Sequence, residues 1–247
     1  MSALSQYLHA TRAPRYSLTL ALPLLLLYEV MAFTLSGDAI AGVRNGADVL
    51  LKSLFVWLGG RTGLTIFALL LLGTGAYLAI RDARRNGWPA RGRLALMFGE
   101  SVLYALLLGT VAATLTSWLL PGGLPLMAAA ATQGFAELDL PTQLTISLGA
   151  GIYEELLFRV LLVSGLVALA AKGFGWGTGW AGVFAAVTGA LIFSAFHYIG
   201  AYGDPWELGS FTFRAVAGLL FSGLYLTRGL GITAWTHALY DVFLALR

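Results

Sequence analysis

Glu154 and Glu155 open a Glu-Glu-x-x-x-Arg motif that closes at Arg159, inside the otherwise apolar run Gly151-Ile152-Tyr153-Glu154-Glu155-Leu156-Leu157-Phe158-Arg159-Val160-Leu161-Leu162. Two further pairs follow at helical spacing, Phe193 with His197 and His237 with Asp241. Residues four apart share a helix face, and Glu155 before Arg159 is the favourable acid-before-base order. Adjacent residues point about 100° apart around a helix, so Glu154 and Glu155 cannot do the same work. One natural division pairs Glu155 with Arg159 and turns Glu154 toward a cavity.

Such a set can do two kinds of chemistry. A carboxylate in a low-dielectric cavity suits general-base work on a water near neutral pH. One imidazole can hold that water, and a second imidazole with its partner one turn on can face the oxyanion of a tetrahedral intermediate. That is a hydrolase without a covalent nucleophile. The other possibility is a metal site from Glu154, His197 and His237, three ligands with one position left open. The tight His-Glu-x-x-His arrangement of one metalloprotease class is absent, but ligands from separate helices remain open. Cysteine is absent too, which removes thiolate nucleophiles, thiolate metal sites and disulfides.

Each residue also has a plainer reading. A Glu–Arg pair can be a structural clasp, a lone His can bond to a neighbouring helix, and Asp241 lies near the C-terminus. His9, the third histidine, lies in the N-terminal arm and reads as solvated. Three ionisable stripes on three apolar segments are harder to assign to packing, because each charge at membrane depth carries its own cost, about 2.5 to 3.5 kcal/mol on insertion scales.

The elements that must carry these stripes are membrane helices. Of 247 residues, 58% are hydrophobic and 11% charged, where a soluble domain carries roughly a quarter charged. Mean hydropathy is +0.80. About 20 apolar residues cross a bilayer as helix, which predicts an all-α polytopic bundle of about seven spans. They are Ser17–Ser36, Thr62–Ile80, Leu94–Leu120, Thr142–Ala171, Gly179–Ile199, Ser210–Thr227 and Gly229–Leu246. Two weaker stretches, Ala47–Leu58 (interrupted by Lys52) and Leu124–Leu138, read as interfacial or re-entrant. The whole of 1–247 reads as one integral membrane domain, with the motifs in about 142–246.

Arg12 and Arg15 before the first span, with Ala39-Ile40-Ala41 after it, resemble a cleaved signal peptide. The length of the run and Glu29 within it favour a retained span. Arg81, Arg84, Arg85, Arg91 and Arg93 crowd the second connection, and Arg12, Arg15, Lys172 and Arg228 fall on the same side. By the positive-inside rule the N-terminus is cytoplasmic; Arg44, Lys52 and Arg61 in the first connection count against it. The net charge of +3 flanks apolar spans and suits lipid headgroups rather than nucleic acid.

The order Glu-Glu-x-x-x-Arg, Phe-x-x-x-His, His-x-x-x-Asp over Glu154–Asp241 resembles the CAAX-protease and bacteriocin-processing family of intramembrane proteases, whose eukaryotic relative is the type II CAAX prenyl endopeptidase. The resemblance implies that Glu154 activates the hydrolytic water and His197 helps hold it. Glu155 and Arg159 would support the first motif, Phe193 would pack beside the site, and His237 and Asp241 would line the oxyanion side. It implies no metal and no other cofactor. Prenyl endopeptidases generally carry Asn where this chain has Asp241, as prokaryotic members often do. An ionised Asp cannot donate to an oxyanion, so it must be protonated or instead orient His237. The implied substrate is a hydrophobic or lipid-anchored peptide or protein, and the implied location a prokaryotic inner membrane. Some family members are scaffolds or immunity proteins, so a non-catalytic membrane protein of the same fold is the alternative. A proton-coupled transporter is a third class; no internal repeat of the kind found in transporters is visible.

Overall fold

The computed structural model describes residues 2–36, 38, 42–120, 135, 137–200 and 203–247. Among these residues all regular structure is helical. The candidate cleavage site Ala39-Ile40-Ala41 and most of Leu124–Leu138 lie outside the described residues.

Helix α1 (Ala3–Thr11) is capped by the Ser2 hydroxyl, which accepts from the Ser5 N–H. Proline opens α2 (Pro14–Ser36), where its missing N–H costs nothing. Helix α3 (Gly46–Asn86) starts at the Asn45 cap and breaks at Gly59 and Gly60. Gly60 sits at φ +57°, a backbone that L side chains rarely adopt. The two limbs fold back so tightly that a Cβ on Gly63 would lie 1.8 Å from the Phe55 carbonyl oxygen. Ala47–Leu58 is therefore a short helix doubled against the span that follows it.

Then come α4 (Arg91–Leu119) and α5, one continuous helix over Leu140–Gly173. Asp139 caps α5 by accepting from the Thr142 N–H. Within α5, Ala150–Glu154, Leu156–Val163 and Leu169–Gly173 are wound as π-helix. Wider winding of this kind is frequent at functional sites, and here it carries Glu154 and Arg159. Helices α6 (Thr178–Phe196), α7 (Leu208–Arg228) and α8 (Leu230–Ala245) complete the chain.

Among the described residues, six helices, α2 to α7, are long and apolar enough to cross a membrane. The seventh expected span corresponds to α8, with 16 residues. At 1.5 Å per residue it is about 24 Å long, a little short of a typical hydrocarbon core. It lies against α2, α4, α5 and α7, and Ile232, Ala234 and Ala238 are wholly buried. Small residues permit the approach: a Cβ on Gly151 would fall 2.5 Å from the Ala238 Cβ, and one on Gly231 would fall 2.4 Å from the Ser17 carbonyl oxygen.

Polarity runs from inside to outside. Leu69, Leu106, Trp118 and Trp180 are exposed while Asp48, Lys52, Glu155, Arg159 and His237 are buried, the arrangement expected of a bundle in lipid. At one end Arg15 pairs with Asp82 at 3.1 Å, and Arg228 donates to the Leu8 carbonyl at 3.1 Å. The N-terminal arm, the arginine-rich second connection and the α7–α8 turn thus share one end. There Tyr7 donates to Glu100 at 2.8 Å; burial and the Glu100 carboxylate push its phenol up to about 12, so it remains a neutral donor. Arg44 and Lys52, which counted against the topology as loop charges, are buried between helices instead. They belong to an internal network and carry no weight in the loop count.

Candidate active site

Glu154 and Glu155 diverge as their helical phase requires. Glu154, 9% exposed, accepts from the Asn45 Nδ2 at 2.9 Å through Oε1. It lies within electrostatic reach of His197, His237 and Arg159. Glu155 is fully buried. Its Oε2 stands 3.2 Å from the Arg159 Nε, and its Oε1 stands 2.7 Å from the His237 Nδ1. The Glu155–Arg159 pairing matches the division read from spacing; the reach to His237, across α5 and α8, does not follow from it.

Arg159 is held by aromatic faces. Its guanidinium lies 4.4 Å from the Phe193 centroid and 5.3 Å from that of Phe221, and Nη2 donates to the Gly218 carbonyl at 3.3 Å. Cation–π contacts gain strength when desolvated. Phe193 also meets His197 edge-on, with centroids 4.9 Å apart, and so links the first two motifs.

His197 ends α6, and its Nδ1 lies 2.9 Å from the Phe193 carbonyl oxygen. A carbonyl only accepts, so Nδ1 carries the proton and the neutral ring keeps an acceptor at Nε2. His237 stacks on Phe221 with centroids 4.3 Å apart. Its Nδ1 donates to Glu155, and its Nε2 stands 3.7 Å from the Asp241 Oδ2. At that distance Asp241 is too far from His237 for a hydrogen bond. Arg214 on α7, which belongs to none of the three motifs, forms an ion pair with Asp204 and lies within electrostatic reach of His197 and Asp241.

A second polar cluster adjoins the first, built from residues ahead of the motifs. Asp48 pairs with Arg44 at 2.9 Å and with Lys52 at 2.8 Å. Glu29 pairs with Lys52 at 2.8 Å and with Arg44 at 3.2 Å. Tyr28 donates to Asp48 at 2.7 Å, and Tyr153 donates to Glu29. Burial works against the Arg44 charge, but hydrogen bonding and attraction from Asp48, with Glu29 beyond, raise its pKa. The cluster has a sequence signal: Arg44, Asp48 and Lys52 follow at four-residue intervals with alternating sign.

Among the described residues, no three His, Asp or Glu side chains group as a set that could share a metal ion. The Glu154, His197 and His237 triad considered as ligands is not such a group.

Residues 136–243 match the family model of the type II CAAX prenyl endopeptidases, Rce1-like. No curated protein and no solved structure matches the chain. The match covers the segment holding all three motifs. Asn45 and the Glu29–Arg44–Asp48–Lys52 cluster lie outside it.

Proposed function

We propose that the chain is an intramembrane endopeptidase that hydrolyses a peptide bond in a membrane-associated or lipid-anchored protein, using water activated by Glu154. The observation that carries this reading is that Phe193 stands between the two imidazoles, with ring centroids 4.9 Å from His197 and 6.2 Å from His237, while His237 is bonded to Glu155, the neighbour of Glu154 on α5.

The hydrogen-bond pattern supplies a mechanism. Glu154 and the His197 Nε2 are both acceptors, so one water can donate a proton to each and turn a lone pair toward the substrate carbonyl. Glu154 takes the proton as the new C–O bond forms, and the carbonyl oxygen becomes an oxyanion. Glu154 then returns the proton to the amide nitrogen as the C–N bond breaks.

With Nδ1–H committed to Glu155, the His237 Nε2 carries a proton only in the imidazolium form. In that form it donates to the oxyanion, and the Glu155 carboxylate bonded to Nδ1 favours it. Arg159 balances the buried Glu155 charge.

His197 lies at the end of the bundle opposite the arginine-rich connection. With the N-terminus cytoplasmic, His197 at the C-terminal end of α6 lies toward the outer side, which suits an exported or membrane-anchored substrate. The test uses purified protein in phospholipid vesicles with an internally quenched, farnesylated peptide ending in Cys-aliphatic-aliphatic-X, beside a comparison of membrane-peptide profiles from cells with and without the protein. Cleavage lost in Glu154→Gln supports the reading; equal cleavage by that variant, or no peptide that depends on the protein, overturns it.

A further inference from the structure

Asn45 uses all of its polar groups. Its side-chain Oδ1 accepts from the Ala47 N–H at 2.9 Å and caps α3. Its own N–H donates to the Tyr28 hydroxyl at 3.1 Å, and its Nδ2 donates to Glu154. Cap geometry fixes the Oδ1 end of the amide, so Nδ2 has one direction in which to point. Only 4% of the residue is exposed.

What fixes Asn45 is the second polar cluster. The Tyr28 hydroxyl donates a hydrogen bond to Asp48, which Arg44 and Lys52 hold from two sides. The same cluster grips α5 once more, where Tyr153, the neighbour of Glu154, donates to Glu29. The paired charges cancel, two acids against two bases, so the cluster sends no net charge toward the site. Gly149 leaves the room this needs: a Cβ there would lie 2.6 Å from both the Asn45 Cβ and the Tyr28 ring.

We propose that Asn45 is a positioning residue for Glu154, and that the Glu29–Arg44–Asp48–Lys52 cluster is the frame that holds it. A neutral amide donor fixes one carboxylate oxygen without cancelling the charge, and leaves the other oxygen to act on water. Lysine at this position would neutralise the base, and an apolar residue would let it rotate. The proposal rests on the protease reading for its role in turnover, but the hydrogen bond has a consequence that needs no substrate.

The test compares the full chain with Asn45→Ser and Asn45→Ala in vesicles, with the farnesylated quenched peptide as probe. Serine caps a helix about as well as asparagine but is too short to reach Glu154. Asn45→Ser should melt close to the unaltered protein, with kcat reduced about a hundredfold by the misplaced base and KM unchanged. Asn45→Ala should lose the same turnover and also melt lower. A hydrophobic carbodiimide, with labelling at Glu154 followed by mass spectrometry, should react several-fold faster in both variants, because Oε1 is uncovered. Full turnover and unaltered labelling in Asn45→Ser would reduce Asn45 to a helix cap and overturn the proposal. If Asn45→Ser fails to fold, Asn45→Asp decides: it keeps size and cap but faces Glu154 with an acceptor, and normal turnover there overturns the proposal. If the unaltered chain cleaves no peptide, the protease reading on that probe fails, and the labelling rate alone decides for or against the hydrogen bond.

Discussion

Glu155 and His237, far apart in the chain, meet across the α5–α8 interface with the carboxylate oxygen 2.7 Å from the imidazole Nδ1. The contact fixes which ring nitrogen of His237 is left free and keeps the ring flat against Phe221. It also ties the first motif to the third, so neither is complete without the other. The partner suggested by spacing alone, Asp241 one turn along the same helix, stands farther off at 3.7 Å.

Glu154→Gln, His197→Ala and His237→Ala should each reduce peptide cleavage by about a hundredfold to ten-thousandfold, the range for lost general acid–base groups. Glu154→Gln and His197→Ala should melt close to the unaltered protein, whereas His237→Ala also removes the imidazole partner of buried Glu155 and should melt lower. Initial rates in vesicles and thermal melts followed by circular dichroism test both halves. A variant that keeps full activity has no part in the reaction.

Glu155→Gln should leave Arg159 buried and unpaired, a loss of about 3 to 5 kcal/mol. Adding Arg159→Met should recover most of the stability, because the orphaned charge is gone. Additive effects in the double-mutant cycle would mean that the two side chains do not depend on one another.

Gly151→Ala should force α5 and α8 apart, since its methyl would meet the Ala238 Cβ, the Ala238 nitrogen and the Ala234 carbonyl oxygen, all within 2.7 Å. Overpacking of this kind costs about 1 to 3 kcal/mol. The same movement would stretch the Glu155–His237 contact, so turnover should fall with stability. A denaturation midpoint and a rate on one sample check the link.

Lys52→Met should break the frame around Asn45. Removing one partner from a buried ion-pair network costs about 3 to 5 kcal/mol, and turnover should drop although Lys52 touches no reacting group. Unchanged stability would show that Arg44 alone balances Glu29 and Asp48.

Exhaustive chelation should leave peptide cleavage unaltered. Loss of activity that zinc alone restores would return the reading in which Glu154, His197 and His237 act as ligands.

Much of this protein is legible in its residues before any coordinates. Hydropathy marks the helices because lipid requires each backbone segment to satisfy its own polar groups. Four-residue spacing marks the ionisable stripes because it is the helix repeat. The spacing located Glu155, Arg159, Phe193, His197, His237 and Asp241, and hydropathy singled out Glu154 as a second acid inside an apolar run. Neither can state which stripe meets which, since that depends on how helices cross, and crossing is set by close-packed small residues such as Gly149, Gly151 and Gly231. Only the tertiary structure turned Glu155 toward His237, brought Asn45 to Glu154 from a segment far ahead of the motifs, and converted Arg44 and Lys52 from loop charges into buried partners of Glu29 and Asp48. The reason is physical: a charge reads the same in one dimension whether water or a counter-ion surrounds it, and folding alone decides between them.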